Sequence, residues 1–147
     1  MKNSGLEGEK EVVALVKCPY CGSKLQLMPR NQPLIDVKCT KCVFTAQIKT
    51  VKKINKEILG GGYDIIDKTT KAGYLIPPLI INIKSENNKE IRFYPFITKK
   101  NLKKRILSKE AKRANYKMFN YIDLDKLPYI IIYPCEKSVN LRVPSIC

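Results

Sequence analysis

Two Cys-x-x-Cys pairs, Cys18-Pro-Tyr-Cys21 and Cys39-Thr-Lys-Cys42, constrain this chain more than any other feature, and only the 17 residues 22–38 separate them. Tetrahedral zinc takes four deprotonated ligands, and each such pair places two sulfurs on one tight knuckle whose backbone amides soften the thiolate charge. Pro19 and Gly22 supply the stiff and the permissive backbone positions that a knuckle uses. The doubled spacing is that of a zinc ribbon, formed within residues 18–42. Four cysteines leave no open coordination position for water, so the expected zinc is structural rather than catalytic. Cys135 and Cys147 lack partner spacing and read as a core thiol and a terminal one.

At 147 residues, with 44% hydrophobic residues, the chain has the size and composition of one folded domain spanning 1–147. Met1 to Lys10 alternate polar and charged types without the apolar core of an export signal. The longest apolar stretch, Tyr74 to Ile83, is about half the length of a membrane span and carries Pro77 and Pro78. The reading is a cytoplasmic protein with no membrane association, where thiols stay reduced and paired cysteines serve a metal. Its 28 Lys and Arg against 13 Asp and Glu give a formal charge of +15. That imbalance invites a polyanion, a nucleic acid before an anionic membrane surface.

Periodicity predicts an α+β order. Ser4 and Glu7 read as a capping box opening a helix to about Lys17, with Leu6, Val12, Val13 and Val16 on one face. Glu9 falls on that same face, where a carboxylate serves either a site or the helix dipole. Alternation predicts strands over Leu34–Cys39 and Val43–Thr50. Gly60, Gly61, Gly62 and Tyr63 read as a break before a helical segment at Asp64–Lys71. Leu79–Lys84 and Glu90–Thr98 form an expected hairpin, followed by a basic helix over Lys99–Ser108 and strands near Lys117–Ile122 and Tyr129–Tyr133.

Side chains alternate along a strand, so Gln47 and Lys49 share one face while Ile48 points the other way. The hairpin between the predicted strands brings Asp36 beside them. An aspartate, a second oxygen ligand and a lysine at a sheet edge can hold Mg²⁺, activate a water and neutralise an attacked phosphate. The same spacing also arises on a plain solvated strand face.

The run CPYCGS, then QPLIDVKCTKC, then FTAQIK closely resembles the DpnI-like, Dam-replacing restriction endonuclease family, and AKRANYKMFNYIDLDKLP at 111–128 continues the likeness. The resemblance covers about Glu9 to Tyr133. It implies a PD-(D/E)XK nuclease fold, a mixed central sheet flanked by helices, with an inserted zinc ribbon. By position, Asp36 is similar to the aspartate that binds the catalytic metal, Lys49 to the motif lysine, and Glu9 to a helix glutamate with a metal or outer contact. Gln47 stands where the family has an acidic residue: its amide oxygen can ligate a hard cation but removes one negative charge. Glu9, Glu57 or Asp64 would compensate, or the protein binds without cutting.

Lys99, Lys100, Lys103, Lys104 and Arg105 crowd the predicted basic helix, and Lys112, Arg113 and Lys117 follow. Lysines in a helix's first turn oppose its dipole, so phosphate neutralisation is the better account of Lys99 and Lys100. Tyr63 is a candidate for stacking on or bonding to DNA. The expected function is a Mg²⁺-dependent, restriction-type endonuclease acting on double-stranded DNA, with structural zinc and no small-molecule cofactor. Its rivals are a catalytically impaired DNA-binding protein on the same fold and a zinc-ribbon adaptor that binds protein.

Overall fold

Alternation of apolar residues along the central strands decides the architecture, because each strand must bury side chains on both of its faces. A computed structural model describes residues 4–30, 32, 34–105 and 118–134. Its larger sheet joins β1 (Leu25–Leu27), β2 (Val37–Cys39), β3 (Thr45–Val51), β5 (Leu79–Lys84), β6 (Lys89–Tyr94) and β9 (Ile130–Tyr133), in that spatial order. A smaller sheet has the order β4 (Glu57–Gly62), β8 (Met118–Ile122), β7 (Leu102–Arg105). The parallel pair β3–β5, with Gln47 opposite Leu79 and Lys49 opposite Ile81, makes the larger sheet mixed, its other pairs being antiparallel.

Ala46, Ile48, Ile80, Ile91, Phe93 and Ile132 pack with Val12 of helix α1 (Ser4–Leu15), and with Val16 just past its end, on one face. Leu79, Ile81 and Tyr94 pack with Ile58, Leu102, Phe119 and Tyr121 of the smaller sheet, and with Ile66 of helix α2 (Tyr63–Lys71), on the other. α1 is pinned by polar contacts as well. The buried Asn82 amide reaches the Gly8 carbonyl and Glu11 Oε1, each at 3.4 Å, and Glu11 pairs with Lys84 at 3.1 Å and with Lys89.

The first three strands fix the ribbon to this core. Cys18, Leu25, Val37, Cys39 and Phe44 belong to the same buried cluster as the α1 face, with Tyr20, Phe44 and Phe93 in edge-to-face contact. The expected strand 34–39 is shortened to Val37–Cys39 because Leu34 takes a left-handed conformation, φ 65°, that turns the chain out of the sheet.

Two sequence expectations are corrected. The basic helix over Lys99–Ser108 is instead one 3₁₀ turn, Lys99–Asn101, followed by β7, while residues 106–117 lie outside the described part. Asn101 sets that boundary. Its side-chain oxygen accepts from the Thr98 amide and hydroxyl, and its Nδ2 donates to the Ile122 carbonyl. The chain then pairs with β8, whose backbone groups need partners more than Leu102 needs a helical face. Likewise the three glycines are not a break. Gly60–Gly62 complete β4, where Gly60 sits so close under Phe119 that a Cβ would lie 2.1 Å from the ring.

Candidate active site and metal centre

β2 and β3 separate at Asp36, and the separation creates the site. The Asp36 backbone is held from both sides, its N–H donating to the Ala46 carbonyl and its carbonyl accepting from the Met28 N–H, each at 2.9 Å. Its carboxylate then takes over a strand's role: Oδ2 accepts the Ile48 amide at 2.8 Å, leaving Oδ1 without a partner among the described residues. Glu9 of α1, Arg30 and Asp36 line a cleft of about 290 Å³ together with Leu6 and Met28.

Electrostatics tie this cleft to Lys49. Burial raises the Glu9 carboxyl above its ordinary range and the Asp36 charge raises it further, against the opposing pull of Lys49 and Arg30. Burial also raises Asp36, which the Ile48 amide and Lys49 partly offset. For Lys49, burial lowers the ammonium, while Asp36 and Glu9 hold it up. Three ionisable groups with raised acids and a lowered base therefore sense one another at one fork. The Lys49 Nζ donates to the Gly60 carbonyl at 2.6 Å, so its position is set by β4.

Of the carboxylates expected to compensate for Gln47, the structure brings only Glu9 to the fork. Glu57 is occupied by Lys103 and Asn120, both at 3.1 Å, and those bonds hold its carboxyl low. Asp64 lies exposed in the first turn of α2. Gln47 itself is buried at 9% exposure, and its Oε1 accepts the hydroxyl of Tyr121 rather than standing open as a ligand. Sequence reasoning missed Tyr121, Arg30 and the Gly60 carbonyl. For Tyr121 a signal existed in the alternation of Phe119 and Tyr121 along β8.

The four cysteines converge as expected. Their sulfurs all lie within 4.8 Å of one another, with Cys18–Cys42 at 3.5 Å and Cys21–Cys39 at 3.4 Å, close to the ~3.8 Å edge of a tetrahedral zinc–thiolate centre. Backbone amides of Tyr20, Lys41 and Cys42 point at Cys18 and Cys39 sulfurs, each at 3.3 Å. Gly22, at φ 78°, lets the first knuckle close. Burial pushes the Cys18 thiol up to about 12, whereas hydrogen bonds from Ser23 bring Cys21 down to about 6. Four soft, mutually close donors fit a metal such as zinc, as thiolates that would otherwise repel one another.

The basic residues lie on an edge rather than a helix. Lys99, Lys100, Lys103, Lys104 and Arg105 are exposed along the 3₁₀ turn and β7, and Lys99 pairs with Asp67 at 3.3 Å. Charged edge strands also guard a sheet against pairing with other chains. Tyr63 is half-buried against the second core with the Lys104 ammonium 5.5 Å from its ring centre, so it is not a free stacking platform. Lys112, Arg113 and Lys117, with Cys135 and Cys147, lie outside the described residues.

Among the described residues no helix is long and apolar enough to cross a membrane. No curated protein matches this chain. The Dam-replacing (DpnI) family does, over residues 7–133, a span that holds all four cysteines and every group at the fork. The chain thus belongs to the DpnI-like, Dam-replacing family, and membership points to a restriction-related protein that acts on DNA.

Proposed function

We propose that this chain is a zinc-stabilised, Mg²⁺-dependent endonuclease of restriction type, a single nuclease-like domain over 1–147 on a PD-(D/E)XK fold, acting on double-stranded DNA in the cytoplasm. The observation that carries it is the convergence of Asp36, Glu9 and Lys49 where β2 leaves β3. Two carboxyls raised by burial and, at Glu9, by mutual repulsion suit a hard cation, and the free Asp36 Oδ1 with Glu9 would hold it. Bound there, Mg²⁺ would supply a water of lowered pKa and neutralise developing charge.

The chain's own groups do the rest. Lys49, released from the Gly60 carbonyl, would place its ammonium on the attacked phosphate, where a fixed positive charge in a partly buried setting is worth more than in water. Arg30, exposed at the cleft wall, adds a second cation toward the incoming strand. The exposed lysines of the 3₁₀ turn and β7 would neutralise neighbouring phosphates and set the register of the duplex without reading sequence.

A second reading, binding without cutting, is favoured by one observation: Gln47 is neutral and its amide oxygen is already engaged by Tyr121. One assay separates the two. Purified protein is incubated with methylated and unmethylated duplexes in Mg²⁺, Mn²⁺ or EDTA. Cuts that need the metal and vanish in Asp36→Ala support the enzyme. Tight binding with no cuts supports the second reading, and absence of both sinks each of them.

A further inference from the structure

An amide side chain has two different arms, and the partner of one decides what the other can offer. Gln47 Oε1 accepts the hydroxyl hydrogen of Tyr121, a residue 1% exposed and packed edge-to-face on Phe119, so the phenol has little freedom to leave. The planar amide then turns its NH₂ arm the opposite way. Among the described residues Nε2 has no partner, and it is not one of the two side-chain atoms sealed from solvent without one, Asn82 Oδ1 and Asn120 Oδ1. Nε2 is therefore not fully sealed, although Gln47 as a whole is buried at 9% exposure, and it lies on the same strand face as Lys49.

We propose that Tyr121 is a positioning residue that makes position 47 a hydrogen-bond donor to a non-bridging phosphate oxygen, not an oxygen ligand to the metal. This rests on the nuclease reading for the identity of the phosphate as DNA. It explains how a glutamine is accommodated beside Asp36. A carboxylate at 47 would add a negative charge next to two carboxyls already raised by burial, whereas an amide held by a phenol adds none and presents N–H groups to an anion. Burial first, and then the Asp36 charge, raise the Tyr121 phenol above its ordinary range, so it remains a donor.

Two binding measurements on the full chain decide the matter: Mn²⁺ affinity without DNA, by electron paramagnetic resonance, and duplex affinity in EDTA. Gln47→Leu should weaken duplex binding about 3- to 10-fold and leave Mn²⁺ affinity within about twofold. Tyr121→Phe keeps the packing and frees the amide to rotate. It should weaken duplex binding about 2- to 5-fold without loss of Mn²⁺ affinity, a pattern that a merely structural defect would not produce. Gln47→Glu should tighten Mn²⁺ and weaken the duplex in EDTA. A roughly tenfold loss of Mn²⁺ affinity in Gln47→Leu would overturn the proposal, as would duplex affinity unchanged in both Gln47→Leu and Tyr121→Phe. Asp36→Ala separates the two levels: unchanged Mn²⁺ affinity there would sink the metal-nuclease reading, while the duplex measurements would still decide the role of Gln47.

Discussion

Lys49 has burial working against its charge and two carboxyls working for it. Asp36 and Glu9 are displaced the other way, both raised above the ordinary carboxylate range by burial. If cleavage needs the acids ionised and the lysine protonated, the pH–rate profile narrows from both sides. Activity should appear only above the usual carboxylate range and fade below the usual lysine range as pH rises. Lys49→Arg should carry the alkaline limb upward, and Lys49→Met should lower kcat/KM by roughly 10²- to 10³-fold. An alkaline limb that stays in place in Lys49→Arg would assign that limb to another group.

At the scale of elements, β4 does two things with one glycine. Gly60 lies against the Phe119 ring and offers its carbonyl to Lys49, so backbone and site are coupled through a position where no side chain fits. Gly60→Ala should destabilise the fold by about 1–3 kcal/mol in urea unfolding, the usual cost of overpacking, and lower cleavage beyond what the stability loss explains. Stability equal to wild type would show that Phe119 yields easily. Here the limits of sequence reading have a physical cause. The cysteine spacing, the strand alternation around Lys49 and the β5–β6 hairpin are local patterns, and all three are present in the structure, whereas Asp36 lies just before β2 rather than in it. Arg30, Tyr121 and the Gly60 carbonyl reach the fork through packing between distant segments, which no local period encodes. The basic segment failed for a related reason: nothing local in Lys99–Arg105 encodes its pairing with β8.

For the whole molecule, metal and fold are expected to be inseparable, because Cys18 and Cys39 sit in the same core that holds α1 against the larger sheet. One zinc per chain should be found by atomic absorption. Its removal by chelator, or its release as acid protonates the thiolates, should unfold β1 to β3 and abolish cleavage; structural zinc contributes on the order of 10 kcal/mol in small sites. Circular dichroism unchanged after complete zinc removal would mean that the knuckles hold without metal. The charge of +15 would attract a polyanion such as duplex DNA but supplies no chemistry. In the proposed nuclease the chemistry would depend on a cation seated between Asp36 and Glu9, and crystals soaked in Mn²⁺ and scanned for anomalous scattering test this directly. A peak is expected within coordination distance of Asp36 Oδ1 and the Glu9 carboxylate, absent in Asp36→Ala. A map with no peak at that fork, from crystals that cut or bind DNA, would contradict it.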